Sequence, residues 1–330
     1  MRNAVLVTYN RSSGRGEISE DSVLEEARDV ALALSSKGFA VETLAVDSSD
    51  LPRLGLRLQQ NGRRLAVFNL CEGLDGDSGK EPLYAAFLED LGVPFTGNRH
   101  GAMRLCLDKG LCKSVLANAG VPTPAYRVFE ALPDADAVAD LPYPMIVKPA
   151  REDGSLGIDD DSVVGDADAL LAAVGRILAA FGSAIAEAYL PGREFNIGVL
   201  ETPDGPRALP AAELIYTYAP GKHPILTHRA KWITDAPEYG QSVPVCPAVV
   251  DDQLRDAMTQ TAQAAFRALG CRHYARVDLR LDGAGNPMVI DINPNPDISA
   301  SAGLARAVRA SGRSYEDFVH TLVEQAWNGN

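Results

Sequence analysis

The chain has 330 residues, is 46% hydrophobic and carries a formal net charge of −13. Those values fit a globular protein of two or three domains with real cores, and they argue against a general nucleic-acid or anionic-membrane binder. No apolar run is long enough to span a bilayer, and the five scattered cysteines (Cys71, Cys106, Cys112, Cys246, Cys271), with no CxxC pair, read as reduced thiols of a cytoplasmic protein.

The opening MRNAVLVTYN is too short for a signal-peptide core and reads as a first strand, AVLVTY. A helix follows, with Ser22 and Glu25 at capping-box spacing, and runs to Gly38, a natural residue just past a helix end. AVETLAV and RLAVFNL read as strands two and three. A Gly/Asp-rich loop, the helix EPLYAAFLEDLG and a short strand VPFTG complete residues 1–97, read as a small doubly wound α/β domain. Ligands of such a sheet lie at the carboxyl ends of its strands, which puts the loop Glu72–Lys80 at a site edge.

Residues 98–186 read as a second unit: a helix around Asp108–Ala119, the buried strand PYPMIVKPA, the loop REDGSLGI and a helix over Asp166–Phe181. The third unit, residues 187–330, takes over from the strand SAIAEAYL and continues through REFNIGVLE. It holds a long loop, Tyr216–Val245, of a length that is more often functional than idle. A helix over Asp251–Leu269 precedes the runs RVDLRLD and MVIDINP, which flank the turn DGAGNP. Val277, Leu279 and Leu281 alternate with Arg276, Asp278 and Arg280; Met288, Ile290 and Ile292 alternate with Val289, Asp291 and Asn293. Folding about Ala284–Gly285 sets Asp278 opposite Asp291 and Arg276 opposite Asn293. Opposed carboxylates repel, and a hard divalent cation bound through oxygen offsets that. Alone, such acids are as readily a solvated face.

Other residues raise the odds of a site. Lys148 ends an apolar strand just before Pro149, and Asp153-Gly154-Ser155-Leu156-Gly157 follows. Glycines let the backbone approach a ligand closely, and successive N–H groups cradle phosphate oxygens. The loop is neither GxxxxGK[ST] nor a dinucleotide fingerprint. A strand lysine, a glycine loop and an acidic hairpin, in that order, point to triphosphate and metal. The five histidines lack metal-ligand spacing. Trp232, after Lys231, packs on a lid or in the core.

With FNLCEG, PFTGN, DKGLCK, GVPTP, IVKP, EDGSLGI, AEAYLPGREF, RAKW, RVDLRL and DINPNP in this order, the chain resembles the ATP-grasp ligases, in their D-alanine–D-alanine ligase-like branch, over nearly its whole length. The resemblance implies an α/β, three-domain ATP-grasp fold with ATP clamped between the second and third domains. It implies that Lys109 and Lys148 contact ATP phosphate and adenine, that Gly154, Ser155, Leu156 and Gly157 close over the phosphates, and that Glu187 with the backbone of Ala188, Tyr189 and Leu190 meets the adenine. Glu194 would take the ribose hydroxyls and Lys231 would reach the phosphates. Asp278, Asp291 and Asn293 would hold two magnesium ions, with manganese as an alternative. Arg276, Ser155 and Lys231 form the implied catalytic set, with Arg276 stabilising the reacting oxygens. The implied reaction joins a carboxylate to an amine through an acyl phosphate, releasing ADP and phosphate.

The amino-acid half departs from the family pattern. Asp291 stands where the family usually has Glu, and Glu72-Gly73 where it usually has His-Gly. Pro294-Asn295-Pro296-Asp297-Ile298-Ser299 replaces a Pro-Gly-Met-Thr-type turn that receives a substrate carboxylate; Ser299 or Ser301 is left as a donor. Asp297 repels a carboxylate there. Glu17 and Glu20 are candidates for the family's N-terminal substrate anchor. Acidic Glu72, Asp77 and Asp297 suit a cationic or multi-amine substrate. The expected partners are small amino-acid or amine substrates, with no nucleic acid and no membrane, and a homodimer is the default assembly. A cell-wall D-alanine–D-alanine ligase and a non-catalytic nucleotide-binding module are the competing readings.

Overall fold

The structure is a computed structural model that describes residues 3–11, 18–61 and 65–329, with residues 18–21 and 61 as backbone only. β1 (Ala4–Asn10), β2 (Ala40–Val46) and β3 (Leu65–Leu70) form a parallel sheet in the order β2-β1-β3. Its connections are α1 (Ile18–Ser36) and α2 (Leu51–Asn61), and α3 (Glu81–Asp90) follows β3. α1 starts a turn earlier than the Ser22–Glu25 box predicts, because Glu20 and Asp21 suit a first helical turn. Gly38 ends that helix region at φ +89°. The VPFTG segment forms a single bridge, Val67 with Phe95, rather than a strand, since Pro94 has no N–H to give a ladder. α2 carries a helical apolar pattern in Leu51, Leu54 and Leu58, of which Leu54 and Leu58 are buried.

The second unit contains α4 (His100–Leu107), α5 (Lys109–Asn118), β4 (Tyr126–Phe129), β5 (Met145–Pro149), β6 (Val163–Val164), α6 (Ala167–Phe181) and β7 (Ala184–Ala188). Its antiparallel sheet runs β4-β7-β5-β6. Asp108 caps α5 by accepting from the Leu111 N–H at 3.0 Å, and Asp166 caps α6 through Ala169 at 2.9 Å.

The third unit is built on β8 (Glu194–Leu200), β9 (Arg207–Ala208), β10 (Ala212–Tyr216), β11 (Ser242–Val245), β12 (Tyr274–Leu281) and β13 (Pro287–Asn293). The strand order is β11-β10-β8-β12-β13, with β9 on β8. The segment between Tyr216 and Val245 is therefore not all loop: it carries the short α7 (His228–Trp232) and ends in β11. α8 (Asp252–Ala268), α9 (Gly303–Ala310) and α10 (Tyr315–Asn328) complete the chain. One core joins β1, β3 and α1 to α9 and α10 through Val5, Phe68, Val30, Leu304, Phe318 and Tyr274. The two ends of the chain thus pack together. α8 covers the opposite face of the larger sheet through Met258, Ala262 and Phe266.

The hairpin β12–β13 pairs Asp278 with Asp291 and Arg276 with Asn293. Nearer the turn the register changes: Leu279 pairs with Val289, and Ile290 is the extra residue of a bulge. The expected alternation along β13 breaks there. Val289 and Ile292 are buried, while Met288 and Ile290 are only partly so. The bulge also frees main-chain carbonyls, which the site uses.

Candidate active site

β5 and β7 set Lys148 and Glu187 into the cleft, and α5 adds Lys113. Glu187 is 2% exposed, and its two carboxylate oxygens lie 3.1 Å from the Lys113 ammonium and 2.9 Å from that of Lys148. Burial opposes ionisation of Glu187, but the two lysines outweigh it and hold the carboxyl below its ordinary range. Burial lowers Lys113, and the second lysine adds to that effect. Lys148 is raised: burial opposes its charge, and Glu187, Asp291 and Glu194 override it. The bulge completes the arrangement. Lys113 and Lys148 approach the Ile290 carbonyl at 3.5 and 3.4 Å, and Thr123 donates to the Val289 carbonyl at 2.9 Å. Lys113 was not singled out from the sequence. The available signal was its place four residues after Lys109, on the same helix face.

Lys109 begins α5, is buried, and donates to the Glu152 carbonyl at the start of the glycine loop. In that loop Gly154, Ser155 and Gly157 have φ of +59°, +64° and +73°. Gly157 tolerates no side chain, because a Cβ there would lie 2.7 Å from Pro149 Cγ and 2.9 Å from Phe181 Cε2. Ser155 holds a left-handed conformation that a non-glycine residue adopts at a cost. The long segment docks on this loop. Trp232 Nε1 donates to the Gly154 carbonyl at 2.8 Å, the His228 N–H donates to the Ile158 carbonyl at 3.1 Å, and Lys222 pairs with Asp160 at 2.8 Å. Lys231 sits over the Trp232 ring at 4.7 Å. Burial lowers its pKa, and Arg276 lowers it further against the pull of Asp153 and Asp278.

On the hairpin, Arg276 makes a two-point contact with Asp278, Nε to Oδ1 at 2.8 Å and Nη2 to Oδ2 at 2.9 Å. Asn196, on β8, donates to Asp278 Oδ1 at 2.7 Å. Burial opposes ionisation of Asp291, but Lys109, Lys148, Lys113 and Arg276 hold it below the usual range. The Asn293 side-chain oxygen accepts from the Asn295 N–H at 2.8 Å. Asp278, Asp291 and Asn293 offer oxygen only, with two carboxylates in direct register, which is a donor set for a hard divalent cation. Among the described residues no group of three His, Cys, Asp or Glu side chains gathers as a closed metal cage. An open set of two carboxylates and an amide fits a cation that shares its coordination with phosphate oxygens.

Glu194 faces the same cleft and accepts from Tyr216 at 2.9 Å and from Arg280 at 3.1 Å. Arg280, also not singled out from the sequence, is 5% exposed and ties Glu194 to the Tyr189 hydroxyl (3.3 Å) and the Pro224 carbonyl (2.8 Å). The Ala188 and Tyr189 N–H groups are used by the Ala125 and Pro144 carbonyls, at 2.8 and 2.9 Å. Among the described residues the Leu190 N–H has no acceptor.

The expected substrate residues separate. Glu72 and Asp297 come together, and Ser299 is buried behind Asp297, to which its N–H donates at 2.8 Å. Asp77 stays exposed and caps a turn through the Gly79 N–H at 2.9 Å. Ser301 is exposed. Glu17 lies outside the described residues, and Glu20 is placed by its backbone alone.

The sequence pattern of the family described as the D-ala D-ala ligase C-terminus matches residues 115–324. The D-alanine–D-alanine ligase of Cupriavidus necator is 34% identical over 77% of this chain and 74% of its own length. That of Desulforudis audaxviator is 32% identical over 92% and 93%. The chain belongs to the D-alanine–D-alanine ligase family. It is a carbon–nitrogen ligase with the ATP-grasp fold. A structure of the Bacillus anthracis D-alanine–D-alanine ligase, complexed with ATP, superposes with a TM-score of 0.77 at 18% identity, covering 99% of this chain and 98% of that one. The fold is shared over almost the whole of both chains. No helix among the described residues is long and apolar enough to cross a membrane.

Proposed function

We propose that the protein is an ATP-dependent ligase that joins an amino acid's carboxylate to an amine through an acyl phosphate, with a substrate pair other than two D-alanines. The observation that carries this is the register of the hairpin, which sets Asp278 against Asp291 with Arg276 forked onto Asp278. ATP lies between the second and third units. Lys109, Lys148 and the loop Gly154-Ser155-Leu156-Gly157 hold its phosphates, and Lys231 approaches them from α7. Glu187, fixed by Lys113, and the Leu190 N–H meet the adenine beside Ala188 and Tyr189, while Glu194 takes the ribose. Asp278, Asp291 and Asn293 hold magnesium, which neutralises phosphate charge.

A carboxylate is a poor acyl donor to an amine. Transfer of a phosphoryl group to it gives a leaving group, and ADP departs. The amine then attacks the acyl carbon, and phosphate leaves with one of the original carboxylate oxygens. Arg276 stabilises the oxyanion with a permanent charge and a rigid donor fork. Ser155 and Lys231 line the same point and move with the lid, whose docking through Trp232 excludes water from the acyl phosphate. The names of the relatives favour D-alanine as a second reading, while Asp297 opposes the carboxylate that a D-alanine nucleophile carries. Incubation with ATP, magnesium and pooled amino acids and amines tests the proposal. The expected result is a new amide by mass spectrometry, equal in amount to the ADP formed; ADP release with no amide from any pair would contradict it.

A further inference from the structure

The carboxyl end of β3 gathers acids that play no part in holding nucleotide. Glu26 and Asp29, one turn apart on α1, reach across to the segment after β13. Glu26 accepts from the Ile298 N–H at 2.8 Å and Asp29 from the Ala300 N–H at 2.7 Å. Asp297 lies exposed in that segment. Glu72 is half-buried, and among the described residues its carboxyl has no hydrogen-bond partner. Burial, Asp153 and Asp297 push Glu72 up to about 8, against the opposing pull of Lys231. Burial, Glu72 and Asp297 likewise raise Glu26, which is 4% exposed.

A second observation is independent of the acids. Tyr315, 7% exposed, carries a buried hydroxyl that has no hydrogen-bond partner among the described residues, and the charges acting on it are foremost Asp29, Glu26 and Asp297. An unmade hydrogen bond at a buried hydroxyl is costly, so this group calls for a ligand. Its neighbours are acceptors, so a ligand that donates to the hydroxyl oxygen and to the carboxylates suits all of them. Among the described residues, Lys231 acts on Glu72 from its place over the Trp232 ring, and Arg309 donates to the Ala300 carbonyl at 2.8 Å. Arg276 is held by Asp278.

Resting on the ligase reading above, we infer that this end of the cleft is a cation subsite, and that the amine substrate is a diamine or similar dication. One amine attacks the activated carboxylate near Arg276. The distal ammonium sits among Glu26, Glu72 and Asp297 and donates to the Tyr315 hydroxyl. An ammonium has three donors and no acceptor, which matches a pocket of acceptors, and its charge relieves the repulsion between the carboxylates. A nucleophile bearing a carboxylate at that end meets Asp297 instead.

The test compares putrescine, butylamine and alanine, one at a time, as the amine with the 330-residue chain, ATP, magnesium and pooled amino-acid donors. The expected kcat/KM for putrescine exceeds that for the chain-matched monoamine by about tenfold or more, with alanine below both. Asp297→Asn is expected to narrow the putrescine-to-butylamine ratio severalfold through a higher KM for putrescine, and Glu72→Gln gives the same readout should the first variant fold poorly. Equal rates for putrescine and butylamine, or alanine as the preferred amine, overturn the subsite and leave the ligase standing. Amide formation with none of the three, from any donor, overturns the subsite, while the ligase reading falls only if the pooled amines also give ADP without amide. The wild-type ratio alone decides, so the outcome does not depend on a variant.

Discussion

Glu187 shows how a single side chain organises this cleft. Its buried carboxylate is shared by Lys113 and Lys148, so Lys148 is aimed by a neighbour rather than by its own strand alone. Lys113→Met leaves Glu187 with one cation and is expected to lower stability in urea unfolding by roughly 3 kcal/mol. Glu187→Gln takes from two buried ammonium groups the carboxylate they share, leaving Asp291 and Glu194 to act on Lys148, and is expected to cost more; the reverse order of the two variants would contradict this account. At Arg276, replacement by Lys keeps the charge and loses the fork, and kcat is expected to fall by about a hundredfold with the fold intact. Glu72 gives a pH signature. Its carboxyl, raised from 4.5 to about 8, binds a proton in the folded state that the unfolded chain has already released. Stability is therefore present at low pH and lost as pH rises toward 8. Melting curves across that range should show Glu72→Gln with a flatter pH dependence than the wild type.

At the scale of elements, the lids and the hairpin carry the account. Gly157→Ala forces a Cβ against Pro149 and Phe181 and strains a positive φ, so it is expected to raise the KM for ATP and to destabilise the loop by about 1–3 kcal/mol. Trp232→Phe removes the bond to the Gly154 carbonyl and should leak water into the cleft, seen as ADP formed in excess over amide. Much of this was legible in the chain itself. The alternation and turn of residues 276–293 were enough to oppose Asp278 and Asp291, because side-chain period and turn position set register. The bulge at Ile290 was not legible, since alternation alone does not say which residue is extra. Its consequence, two lysines and Thr123 on freed carbonyls, arises only when α5 and β5 meet β13. The Lys113–Glu187–Lys148 triad joins three separate elements and left only the Lys109–Lys113 spacing in the sequence. Trp232 was open between lid and core; its bond to the Gly154 carbonyl sets it against the glycine loop.

The whole molecule is built so that its first and last helices share a core, with α1 and α10 packed around Tyr274 and Phe318. That contact brings Glu26, Asp29 and Tyr315 within electrostatic reach of Asp297, and Glu26 within reach of Glu72, which no linear reading of the chain would assemble. The central claim is activation of a carboxylate by phosphoryl transfer, and the most direct measurement follows its oxygens. A donor amino acid labelled with heavy oxygen in its carboxylate is turned over with ATP, magnesium and the accepted amine, and the phosphate is analysed by mass spectrometry. The account predicts one labelled oxygen in each phosphate released, in step with amide formation; amide formed with unlabelled phosphate would contradict it.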